Sequence, residues 1–179
     1  MSVPVELSRI YIREMADCQI IELAEIGGTR SFPIVIGMTE ACAIERRRKG
    51  CGVERPQTHD LLSAAIEALG ATVDRIEIAE LKQTTFFARI YLRRGDKVIE
   101  LDARPSDAVA LAVATDAPMY VAERVLAEAS LSVAHADVPP FDDSDDDDES
   151  DGPDAASGDS AQEPSDQGFF GDTPDTDDD

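Results

Sequence analysis

Residues 98–117 read VIELDARPSDAVALAVATDA, and the change from apolar to polar and back to apolar within them decides the fold class. Val98, Ile99 and Leu101 make a short strand-like run that Glu100 interrupts and Asp102 ends. Residues 103–107 form a polar turn. Pro105 has no N–H and holds φ near the helical value, while Ser106 and Asp107 carry oxygens suited to the free N–H groups of a helix start, so a helix is expected to begin here. Its body, residues 108–115, is apolar nearly all round, the pattern of a helix buried against a sheet. Pro118 ends it.

Upstream, residues 5–13 alternate apolar and polar side chains, and residues 18–26 form a second run rich in branched side chains. Gly27-Gly28 makes the turn to a third strand over residues 32–36. Thr39 is expected to cap a helix over residues 40–49, whose last turns carry Arg46, Arg47, Arg48 and Lys49, cations that complement the helix dipole. A second helix follows Pro56 from Thr58 or His59, with Leu61, Leu62, Ala65, Ile66 and Leu69 as its expected buried stripe and Gly70 as its stop. Residues 73–81 and 85–92 read as paired strands, Arg94-Gly95-Asp96 as the turn into the opening stretch, and residues 119–121 and 122–129 as a closing strand and helix.

The order strand, strand, strand, capped helix occurs twice, at an offset of about 66 residues. Ile10 and Ile12 match Ile76 and Ile78, Glu40-Ala41 matches Asp107-Ala108, and Ile44 matches Leu111. The sequence therefore predicts an α+β fold in which duplicated β-β-β-α units form a mixed, partly closed sheet packed by helices.

Charge divides the chain. All 16 lysines and arginines lie at or before Arg124, whereas 17 of the 38 acids lie at Asp142 or beyond, so most of the net charge of −22 belongs to the end of the chain. That end is built of Asp, Ser, Gly and Pro, with Phe141, Phe169 and Phe170 as its large apolar residues, and cannot bury enough surface to offset the entropy of ordering. A folded domain over residues 1–133 and a disordered acidic tail over residues 134–179 are expected. The first residues, MSVPVELSRI, lack the positive start and apolar core of a secretory signal, and no apolar run is long enough to span a bilayer, which predicts a cytoplasmic protein without membrane contact. Cys18, Cys42 and Cys51 show no close Cys-x-x-Cys spacing and are expected to be reduced and structural.

FPIVIGMTEACAI, RPQTHDLL, ALGATVDRIEIAEL, TTFFARIYL and IELDARPSDAVALAVATDAPMYVAERVL occur in this order, and together they resemble the bifunctional nuclease domain family over residues 5–129. RPSDAVALA followed by AP-x-YV is the most specific part. The family takes its name from plant members that act as both DNase and RNase. The resemblance therefore implies a DNA or RNA substrate; a homo-oligomer is compatible with it. The plant nucleases continue into a further C-terminal module where this chain has its acidic tail.

Phosphodiester hydrolysis needs the developing charge on the phosphate neutralised and a nucleophile made from water, which carboxylate-bound metal and arginine supply together. On the nuclease reading Asp102, Asp107 and Asp60 hold a metal such as Mg or Mn. Arg55, Arg104 and Ser106 bind phosphate, and His59, with these three acids, completes the catalytic set. Each residue has a plainer reading beside this one: Ser106, Asp107 and Asp60 suit a helix start, Arg104 can pair with Asp102 or Asp107 to hold the turn, and Glu40 in a first helical turn complements the dipole. The alternative function is a non-catalytic regulatory module that binds an anion or a partner and carries an acidic tail.

Overall fold

The computed structural model describes residues 1–135 except Glu14 and Asp17. The acidic tail, including Phe169 and Phe170, lies outside the described residues. Four helices and seven strands follow one another as β1 (Ser2–Tyr11), β2 (Gln19–Glu25), β3 (Ser31–Ile36), α1 (Met38–Arg48), α2 (Thr58–Ala68), β4 (Thr72–Lys82), β5 (Thr85–Arg94), β6 (Lys97–Ala103), α3 (Pro105–Thr115), β7 (Met119–Ala122) and α4 (Glu123–His135). The architecture is α+β, as expected.

All seven strands form one mixed sheet in the order β3-β2-β1-β7-β4-β5-β6. Two antiparallel meanders, β1-β2-β3 and β4-β5-β6, flank β7, which runs antiparallel to β1 and parallel to β4. Each meander leads on to a helix, the recurrence on which the expected duplication rests, although β7 meets the two meanders in opposite senses. The sheet does not close. It curves until the ring of Phe32 on β3 comes within 5.5 Å of that of Phe86 on β5. A cleft of about 570 Å³ remains between β3 and the start of β5, walled by Arg104, Pro105 and Ser106 at the start of α3. Partial closure was expected; the observed sheet is open, with β3 and β6 as its edges.

The inner face carries the core. Ile21, Leu23, Phe32, Ile76, Ile78 and Ala88 are wholly buried beneath Ala41 and Ile44 of α1, Val109 and Leu111 of α3 and Leu126 of α4. Burial of each large aliphatic side chain contributes roughly 1.5–3 kcal/mol, so this stack is the main stabilising term. The central helix α3 is buried on nearly every side at Ser106, Ala108, Val109, Ala110, Leu111 and Ala112, which accounts for its all-apolar sequence. It stops at Thr115 because Asp116 takes a left-handed conformation, φ 53°, two residues before Pro118.

Several local expectations change. Gly37, not Thr39, is the N-cap of α1, and no side chain caps that end. The expected apolar stripe of α2 is mostly in solvent: Leu61, Leu62, Ala65 and Leu69 are exposed, Ile66 alone of the stripe is buried as expected, and Ser63 is buried with it. Amphipathic periodicity marks an apolar face, but α2 has neighbours along one edge of that face alone. The three cysteines are free, as expected, yet exposed rather than packed in the core. Among the described residues, no helix is long and apolar enough to cross a membrane.

Candidate functional site

The first turns of α1, α2 and α3 meet at the end of the helical layer, and each contributes charge. Arg104, the N-cap of α3, donates from Nε to Asp107 Oδ2 at 2.7 Å and from one terminal nitrogen to Asp107 Oδ1 at 3.0 Å. The same nitrogen donates to Glu40 Oε1 on α1 at 2.6 Å. His59, at the start of α2, places Nε2 3.3 Å from Asp107 Oδ1. One arginine therefore sits between two acids, and one of those acids also holds an imidazole.

The sequence explains the geometry. Pro105 at the first helical position fixes the turn, so that Asp107, three residues after Arg104, returns to the guanidinium one helical turn away. Gly37 leaves room over the start of α1: a methyl group there would lie 2.5 Å from Glu40 Oε2. Burial raises the Asp107 carboxyl, but the bonds from Arg104 and then His59 outweigh it and hold the group below the ordinary carboxylate value. Asp107 and then Glu40 push the Arg104 guanidinium further up, so it stays charged at any working pH.

Asp60 belongs to an adjoining cluster. It accepts from Arg46 at 3.0 Å, from Arg47 at 2.7 and 2.9 Å, and from the backbone N–H of Gln57 at 3.0 Å. The Gln57 N–H lowers its pKa most; burial opposes this, and Arg47 and Arg46 lower it further. Together these contacts fasten α1 to the start of α2. Much of the basic run at residues 46–49 is thereby committed, since Lys49 also pairs with Glu45 at 3.1 Å.

Of the other expected site residues, Ser106 adjoins the cluster, whereas Arg55 and Asp102 lie elsewhere. Ser106 is buried in the first turn of α3 and lines the cleft. Arg55 is exposed in the bend before α2. Asp102 lies on β6 opposite Arg89, exposed, and alternation puts its side chain on the sheet face opposite to that of Ile99 and Leu101. Asp102, Asp107 and Asp60 are thus not brought together. Both oxygens of Asp60 and of Asp107 are taken by guanidinium groups, and among the described residues no group of three His, Cys, Asp or Glu side chains could hold a metal ion. This donor set does not fit the expected carboxylate-bound Mg or Mn. Glu40, which the sequence left as a helix-start acid, is the residue that joins the cluster instead. The signal was present, because the repeat matches it to Asp107.

Arg104, Pro105, Ser106 and Gly37 all line the cleft between β3 and β5. Neither α1 nor α3 has a side chain bonded across its N-terminus, so the cleft wall combines two uncapped helix starts with a guanidinium whose side chain is 66% exposed. Backbone N–H groups, helix dipoles and arginine are the donors that bind phosphate.

The family model described as bifunctional nuclease domain matches residues 21–134. An uncharacterized protein of Mycobacterium tuberculosis strain H37Rv is 38% identical over 129 residues, 72% of this chain and 77% of that protein. Bifunctional nuclease 1 of Oryza sativa subsp. japonica is 25% identical over 128 residues, 69% of this chain and 39% of the rice protein. The bifunctional nuclease of Oryza minuta matches to the same extent. With a family model covering most of the folded part, and a relative of comparable length at that identity, the chain belongs to the bifunctional nuclease domain family.

Proposed function

We propose that the chain hydrolyses phosphodiester bonds in nucleic acid at the cluster where α1, α2 and α3 begin. The observation that carries this reading is the arginine set between two uncapped helix starts on the wall of an open cleft. A phosphate entering the cleft meets Arg104 together with the free N–H groups at the start of α3, and these donors stabilise the charge that builds on the non-bridging oxygens as the phosphorus gains a fifth ligand. Asp107 and Glu40 hold the guanidinium in place before substrate arrives, which lowers the reorganisation needed at the transition state.

The proton goes to His59. In the tautomer that carries its hydrogen on Nε2, facing Asp107 at 3.3 Å, the ring keeps a lone pair on Nδ1. That nitrogen accepts a proton from the attacking water as its oxygen bonds to phosphorus, and the ester oxygen leaves with a proton from solvent. No step runs through a metal.

The test is cleavage of labelled single- and double-stranded DNA and RNA by purified protein, with EDTA and with Mg²⁺ or Mn²⁺ added. Asp107→Asn serves as the control for contaminating nuclease. Cleavage that persists in EDTA and disappears in Asp107→Asn is expected. The other reading, a non-catalytic module that binds anions or a partner, draws on the carboxylates already paired to Arg46, Arg47 and Arg104. Nucleic-acid binding without cleavage in any condition would decide for it.

A further inference from the structure

The two edges of the sheet differ. At one edge, β3 carries Pro33, which cannot donate to a further strand. At the other, β6 has no proline, six of its seven residues are exposed, and its apolar side chains remain open to solvent: Val98 is 48% exposed, Ile99 41% and Leu101 41%. An edge strand without proline, whose apolar side chains lie in solvent, is a template for another strand unless something covers it.

We propose that β6 is a homodimerisation edge, with two copies pairing antiparallel along Lys97–Ala103 about a two-fold axis at Glu100. The sequence of the strand suits a second copy of itself. A two-fold axis perpendicular to the sheet keeps each face on its own side, so residues of equal parity oppose one another, and pairing over the whole strand centres on Glu100. Ile99 then meets Leu101 of the second copy, and Leu101 meets its Ile99, which extends the inner apolar face unbroken across the junction. Lys97 falls opposite Ala103 of the second copy and Val98 opposite its Asp102, so no lysine opposes another. The two Glu100 side chains meet at the axis, each accompanied by its own Arg89, whose Nε lies 3.3 Å from Glu100 Oε1.

The test begins with sedimentation equilibrium of the full chain at moderate salt, where the repulsion between two chains of net charge −22 is screened. A concentration-dependent dimer is expected. Ile99→Lys places a charge in the apolar face of the junction and should weaken association at least about tenfold while leaving the circular dichroism spectrum unchanged. Glu100→Gln removes the like-charge contact at the axis and should tighten the dimer several-fold. Register is read by cross-linking in a chain whose Cys18, Cys42 and Cys51 are replaced by serine: Glu100→Cys should oxidise to a disulfide-linked dimer, whereas Val98→Cys, set against Asp102 of the other copy, should not. A monomer at every concentration, or a dimer that Ile99→Lys leaves intact and Glu100→Cys does not cross-link, would overturn the proposal.

Discussion

Arg104 and Asp60 carry the charge chemistry of the helix starts in two different ways, and single substitutions separate them. Asp60 is 9% exposed at its side chain and bonded to two arginines and a backbone N–H, so Asp60→Asn should destabilise the fold by about 2 kcal/mol at neutral pH, measured by urea unfolding. Its pKa is depressed on folding, so its contribution is present above the unfolded value near 4 and is lost as pH falls through the folded value. The gap between wild type and Asp60→Asn should therefore narrow at pH 3; a gap of constant size would mean that the charge of Asp60 does not stabilise the helix junction. Arg104 is largely exposed, and Arg104→Ala should leave stability within about 1 kcal/mol of wild type. At this scale the sequence was partly legible. RPSD names Arg104 and Asp107, which pair because the spacing of three is one helical turn. The partners of Asp60 lie on α1, and no local pattern could reveal them. Glu40 gives no local sequence signal of its role, because an acid in a first turn already has a local explanation.

Helix α3 and helix α2 show where periodicity informs and where it misleads. The all-round apolar run of α3 could be satisfied only by burial, and the helix lies at the centre of the core. Val109→Asp should prevent folding, seen as loss of the cooperative urea transition, because a charge would be buried with no partner. In α2 the apolar spacing was just as regular, yet Leu61, Leu62 and Leu69 face solvent. Leu61→Gln should change stability by less than about 0.5 kcal/mol and Ile66→Ala should cost about 2–4 kcal/mol, measured by the same denaturation. A large loss from Leu61→Gln would show that this face is covered in solution. Strand positions followed alternation closely, because β-branched side chains between turn residues permit little else. Sheet order was not legible: that β7 would lie between the two meanders depends on tertiary packing far apart in sequence.

For the molecule as a whole, composition sets the acidic end of the chain apart from the residues before it. Residues 139–179 carry 17 acids and no lysine or arginine, so they can imitate nucleic acid toward basic groups on the domain. A shortened chain ending at Val138 should bind labelled nucleic acid more tightly than the full chain at low salt, and the difference should shrink as salt rises, measured by fluorescence anisotropy. Equal affinities at both salts would leave the tail without a competing role. The central claim is that the cluster at the three helix starts is where phosphodiester bonds are cut, and it depends most directly on Arg104. The decisive measurement is kcat/KM for wild type and Arg104→Ala on one labelled oligonucleotide in the presence of EDTA, with folding of both confirmed by thermal unfolding. A loss of at least about 100-fold with unchanged unfolding is predicted. Equal rates would place the chemistry elsewhere and reduce the cluster to a structural joint between helices.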